Sequence, residues 1–152
     1  MIKRFLSFIL FCSLCLVCCG INSDEQNSTD VSEQEEEYNE EILSNEDLDK
    51  LNDFVAQARK KMDEDKNYSE AVKLFDEAIK IGKKDWIYGD RGRAKVLAND
   101  AKGAIEDFTK AIKLNERDVY YEWRASAYGL IGEKQLEKED LIKVSKIQKK
   151  SK

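Results

Sequence analysis

The chain has no proline and no histidine, and none of its four cysteines lies beyond residue 19. Without histidine it lacks the commonest general base and the commonest metal ligand. Without a thiol after Cys19, the folded part can hold neither a cysteine nucleophile nor a disulfide framework. Carboxylates are plentiful, but Glu106-Asp107 and Glu139-Asp140 are sequence neighbours. Neighbours on a helix point about 100° apart and do not form an acid/base pair. No glycine-rich phosphate loop is present, and Asp63-Glu64-Asp65 lacks the glycine and ligand spacing of a calcium loop. The composition therefore describes a non-enzyme without cofactor or metal, with a carboxylate-dependent hydrolase as the minor alternative.

Long apolar stretches are also scarce. The one at the start runs from Phe5 to Val17, behind the basic Met1-Ile2-Lys3-Arg4 and ahead of Cys18-Cys19-Gly20. Roughly 20 apolar residues are needed to span the hydrocarbon core, and a basic end plus a short apolar run is the layout of a secretory signal peptide. Leu16-Val17-Cys18-Cys19 resembles the lipobox of bacterial lipoproteins, in which two apolar residues and a small one precede an invariant cysteine. The resemblance implies removal of residues 1–18, lipid on the Cys19 thiol and acylation of the new amino group. Cys18 stands where that motif usually has Gly, Ala or Ser, so Cys18 is the alternative lipidated residue. One acyl chain binds a bilayer marginally and two or more hold firmly. With such an anchor the folded domain needs no membrane-binding face of its own.

Basic residues are absent from the next segment. Residues 20–43 carry nine acids, Asp24, Glu25, Asp30, Glu33, Glu35, Glu36, Glu37, Glu40 and Glu41, and no Lys or Arg. Such a stretch cannot bury enough apolar surface to offset the entropy of ordering, so residues 19–43 read as a lipidated cysteine and disordered tether. Its expected span is on the order of 30 Å, from about 5–6 Å times the square root of length. Acidic stretches behind a lipidated cysteine resemble surface-export signals of some bacteria with two membranes. That favours the outer membrane or cell surface over the inner membrane. Residues 44–152 hold 22 acids against 24 basic residues, a net of +2. This is no footprint for nucleic acid.

From Ser44 onward apolar residues recur three and four apart, the helical period. Ala71, Phe75, Ala78, Ile79 and Lys80 recur in register as Ala104, Phe108, Ala111, Ile112 and Lys113. At the same offset Arg91-Gly92-Arg93-Ala94 matches Arg124-Ala125-Ser126-Ala127, so two different segments share one period. These residues resemble the tetratricopeptide repeat, a helix-turn-helix unit of about 34 residues. The fold implied is an all-α, short array of helical hairpins over residues 44–152, with two clear repeats across 67–132 and degenerate flanks. Gly92 and Ala125 match the small residue of the first helix. Ala71 and Ala104, Phe75 and Phe108, and Ala78 and Ala111 match the small, aromatic and later small residues of the second. Small side chains let helix axes approach, and one ring restores packing density. The usual closing proline is missing, and Glu137 stands where a third alanine is expected, which suits a solvated terminal helix.

Caps and breakers predict six helices. Ser44 with Asp47 opens the first, to about Met62, and Ser69 opens the second, closed by Gly82. The third runs from Asp85 to near Ala98, the fourth from Ala101 to Leu114, the fifth from about Asp118 to Ile131, and the sixth from Lys134 to about Lys149. In the repeat family, first helices line a groove that holds a peptide or partner protein. By resemblance, Trp86, Asp90 and Arg93 would face it from one helix, and Trp123 and Ser126 from the next. The alternative for each tryptophan is packing between helices. Tyr88 and Tyr121 read as inter-repeat packing. The expected function is a lipid-anchored envelope scaffold that binds a protein or peptide, and homodimerisation is one way to extend so short a groove. A structural subunit of an envelope assembly complex is the competing reading. The basic tail from Lys143 to Lys152 reads as a solvated helix end, with attraction to acidic lipid headgroups as the alternative.

Overall fold

The computed structural model describes residues 43–150. The signal peptide, Cys19 and nearly all of the acidic tether lie outside the described residues. Six helices follow one another: α1 (Asn45–Asp63), α2 (Tyr68–Ile81), α3 (Asp85–Leu97), α4 (Ala101–Leu114), α5 (Asp118–Leu130) and α6 (Lys134–Lys150). Among the described residues there is no strand. Packing is sequential, closest within the pairs α1/α2, α3/α4 and α5/α6, then between α2 and α3 and between α4 and α5; α3 also touches α5. This is the all-α array of helical hairpins expected from the internal repeat.

Local chemistry sets the boundaries. Ser44 accepts the Asp47 N–H at 3.1 Å, and its hydroxyl donates to the Asp47 carboxylate at 2.7 Å. The second helix is capped by Asn67 and not by Ser69: the Asn67 side chain accepts the Glu70 N–H at 3.2 Å. Asp100 does the same for Gly103 one period later, at 2.9 Å. Ser69 sits inside the first turn of α2, where its short side chain is exposed and the orphan N–H groups are already served from the preceding residues. Gly82 ends α2 in an extended conformation, φ −153°. It is there for room, since a Cβ would lie 2.7 Å from Leu51 Cδ1.

The turns inside the hairpins repeat with the same period. Lys66 (φ 52°), Asn99 (φ 64°) and Gly132 (φ 83°) are evenly spaced along the chain, and all three lie in the left-handed region. After each of them the chain closes back on its helix, with Asn67 N–H on the Lys61 carbonyl at 2.9 Å, Asp100 N–H on that of Lys95 at 2.8 Å and Glu133 N–H on that of Tyr128 at 3.0 Å. These bonds satisfy carbonyls that a helix end would otherwise leave orphaned. The backbone thus contains three units, including a first one that self-alignment detects weakly.

All eight small and aromatic positions assigned to repeat packing are buried. Ala71, Phe75 and Ala78 join Leu51, Val55, Ala58 and Met62 of α1 and Ile87 and Ala94 of α3 in the largest cluster. Ala111 packs with Tyr88 and Tyr120, and Ala104 with Phe108 and Ala127. Gly92 shows why size is restricted: a Cβ there would stand 2.6 Å from Phe108 Cε1. Ala125 is 2% exposed. Glu137 lies over Gly129, whose missing side chain leaves room for the carboxylate, and pairs with Lys134 at 3.0 Å.

A polar fastening also recurs. Arg91 of α3 donates from Nε and Nη2 to both Asp107 oxygens of α4, at 2.9 and 2.5 Å, and from Nη1 to Asp76 of α2 at 2.6 Å. One period on, Arg124 of α5 clasps Asp140 of α6 at 2.8 and 2.8 Å and reaches Thr109 of α4 at 2.9 Å. Each arginine therefore ties its own hairpin together and links it to the preceding one. Burial alone would lower the Arg91 pKa, but the Asp107 and Asp76 carboxylates outweigh it and hold it above the usual arginine value. Asp140 does the same for Arg124. Asp107 and Asp140 thus serve as buried counter-charges, while Glu106 and Glu139 stay exposed.

Candidate binding surface

The first helices of the three hairpins carry a connected strip of guanidinium, carboxylate and indole groups. Asp90, 8% exposed, is its centre. Arg59 of α1 donates from Nε and Nη2 to Asp90 Oδ2 at 3.0 and 2.7 Å, and Arg93 Nη1 reaches Asp90 Oδ1 at 3.5 Å. Each guanidinium also lies over the indole of the next first helix. Arg59 stands 5.6 Å from the Trp86 ring centre and Arg93 stands 5.3 Å from that of Trp123.

The tryptophans pack and face outward together. Trp86 is partly buried against the α1–α3 core, and Trp123 against both later clusters. Trp123 meets Phe108 at 5.9 Å and Tyr120 at 5.8 Å between ring centres, both tilted. Gly89 permits this, because a Cβ there would fall 2.8 Å from Tyr120 Cε1 and 3.2 Å from Trp123 Cζ3. The two readings of each tryptophan are therefore not exclusive: each ring packs against the core and also carries a cation. Trp86, Asp90, Arg93 and Trp123 come together. Ser126, one period after Arg93, is exposed on α5, and its hydroxyl donates to the Glu122 carbonyl of its own helix at 3.0 Å. Tyr88 and Tyr121 are both buried, and Tyr88 packs with Ala111 of α4 and Tyr120 of α5 as inter-repeat packing requires.

Arg59 is not apparent from the repeat alignment. Ala58 is the buried small residue of α1, and its interval to the Lys66 turn is one residue longer than that from Gly92 to Asn99. That extra residue shifts α1 out of register with α3. Counting back one period from Arg93 lands on Lys60, and only the insertion moves the match to Arg59.

Two guanidiniums share one carboxylate, so the strip has surplus positive charge and unused N–H donors. The Arg59 and Arg93 side chains are 52% and 46% exposed. Such half-solvated pairs contribute little to folding but remain available to a carboxylate or carbonyl of a partner. Among the described residues, no group of three or more His, Cys, Asp or Glu could hold a metal ion.

Below the strip, the Tyr120 hydroxyl donates to Asp85 Oδ2 at 2.7 Å, an oxygen that also accepts from Asn115 Nδ2 at 3.1 Å. Burial, then the Asp85 carboxylate, push the Tyr120 phenol from 10.0 up to about 12. A raised folded-state value means the neutral form is favoured in the native protein. Its stabilisation is fully present below the unfolded value and disappears as pH rises through the folded one. Urea midpoints should therefore fall between pH 10 and about 12, and Tyr120→Phe should flatten that limb. An unchanged alkaline limb in the variant would show that Tyr120 is not its source.

No protein-family model and no curated protein matches the sequence. Solved structures do match. One is the second TPR domain of Spaghetti (RPAP3) bound to the HSP90 peptide SRMEEVD, with 17% identity over 65% of this chain and 94% of that one and a TM-score of 0.60. Another is the second TPR domain of human RPAP3 in complex with the HSP70 peptide SGPTIEEVD, with 18% identity over 64% of this chain and 82% of that one and the same TM-score of 0.60. Together with the periodic recurrence of packing, turns and ion pairs, this likeness establishes the fold as a tetratricopeptide-type helical array.

Proposed function

We propose that this chain is a lipid-anchored, non-catalytic scaffold of the bacterial cell envelope that binds a protein or extended peptide along the α1, α3 and α5 strip. The observation that carries the binding assignment is the Arg59–Asp90–Arg93 bridge with an indole beneath each guanidinium. Tryptophan and arginine are enriched among residues that dominate binding energy. Both of the solved structures described above are complexes with short acidic peptides, which supports a partner segment bearing carboxylates. Attachment rests on the Leu16-Val17-Cys18-Cys19 motif behind a basic and apolar leader. The acidic residues 20–43 then set the working distance from the membrane.

Binding and attachment are tested by separate measurements. In a pull-down from detergent-solubilised membranes with the full chain, Arg59→Ala/Arg93→Ala should lose at least one partner by tenfold or more. Retention of every partner would place binding elsewhere. Labelling of growing cells with radioactive palmitate should mark the wild-type chain and not Cys19→Ser. Label that persists in Cys19→Ser and vanishes in Cys18→Ser would move the anchor by one residue.

A further inference from the structure

Charge within the folded part is segregated. Residues 44–133 carry 19 acids against 17 basic residues, whereas residues 134–152 carry seven lysines against three acids. Of the three acids on α6 the structure leaves one, Glu139, exposed and without a cationic partner among the described residues, accepting from Gln135 at 2.8 Å. Asp140 is buried under Arg124, and Glu137 is paired with Lys134. Lys138, Lys143, Lys146, Lys149 and Lys150 are exposed, and none has an acidic partner among the described residues. Lys138, Ile142, Lys146 and Lys149 stand at i, i+4, i+8 and i+11, which at about 3.6 residues per turn is a single stripe. It lies opposite Asp140 and Val144, the buried residues that fasten α6 to the array. In the middle of this stripe Ile142 is 43% exposed.

We infer that this outward face of α6 lies on a bilayer surface bearing anionic headgroups. A stripe of lysines around an exposed isoleucine has the chemistry of a helix that rests at such a surface: ammonium groups meet phosphates, and the apolar side chain enters the headgroup boundary. The contact orients the domain and does not attach it. If the proposed lipid on Cys19 holds the chain at the membrane, α6 decides which way the strip on α1, α3 and α5 is presented.

The test uses the mature-length chain from residue 19 with Cys19→Ser, which carries no lipid, so that failure here and failure of the palmitate labelling are separate results. It should sediment with phosphatidylglycerol–phosphatidylcholine vesicles, stay in solution with phosphatidylcholine alone, and be released near 1 M salt, where the screening length is about 3 Å. Each lysine near an anionic surface contributes about fivefold in partitioning. Lys138→Gln/Lys146→Gln/Lys149→Gln should therefore weaken sedimentation by roughly 100-fold. Lys73→Gln/Lys102→Gln/Lys113→Gln makes the same change in net charge elsewhere and should leave it unaltered. Equal loss in both triple variants, or no sedimentation with the anionic vesicles, would overturn the assignment.

Discussion

Asp107→Ala should lower the free energy of unfolding by about 3–5 kcal/mol, the loss expected when one partner of a buried ion pair is removed. The Asp107 side chain is 2% exposed and neutralises two cations at once, Arg91 through both oxygens and Lys95 at 2.9 Å. Its removal leaves Lys95 with only a long bond to the Gly103 carbonyl at 3.4 Å. Arg91 keeps Asp76, but that carboxylate is 43% exposed and solvated. Domains of this size have stabilities of about 5–15 kcal/mol in total, so the variant should unfold at a much lower urea midpoint. Asp76→Ala, on the same arginine, should cost within about 1 kcal/mol because its pair is largely screened. Urea titrations of the two variants decide the matter: equal midpoints would show that burial does not set the worth of these carboxylates.

Phe108→Ala should cost a similar amount, about 3–5 kcal/mol, through the lost transfer energy of the ring and the cavity behind it. Phe108 is 1% exposed, fills the space left by Gly92 and supports the inner face of Trp123. Gly92→Ala should cost about 1–3 kcal/mol, since the added methyl must displace that ring. The two changes share one contact, so they should not add. With alanine at 108 the clash is gone, and Gly92→Ala should then have little effect. A strictly additive cycle would mean that the glycine is not kept for the ring. Loss of Phe108 should also weaken partner capture, because Trp123 loses the surface that holds it under Arg93.

Small and aromatic residues at a fixed spacing make α2 to α5 legible without coordinates, because helix packing is periodic and local in these arrays. Helix ends are legible where a side chain or a glycine does the capping, as at Ser44, Asp100 and Gly132. Asn67 is hidden behind Ser69 because both are good caps two positions apart, and only backbone geometry separates them. The first hairpin is obscured by one residue inserted in α1, which costs the fold one altered turn but breaks the alignment.

The polar contacts are the hard part. Arg91 and Asp107 sit on different helices, as do Arg124 and Asp140, and nothing in the sequence distinguishes these acids from exposed Glu106 and Glu139. Their roles appear only when two helices cross and one carboxylate falls inside the contact. That this chain is helical, repeated and charged in blocks follows from residue order alone, because those properties depend on spacing along a single strand of residues. That Arg59 and Arg93 share Asp90 over two indoles, and that five lysines of α6 face outward together, follows only from the packed array. Which charges are neutralised depends on neighbours brought in from other helices.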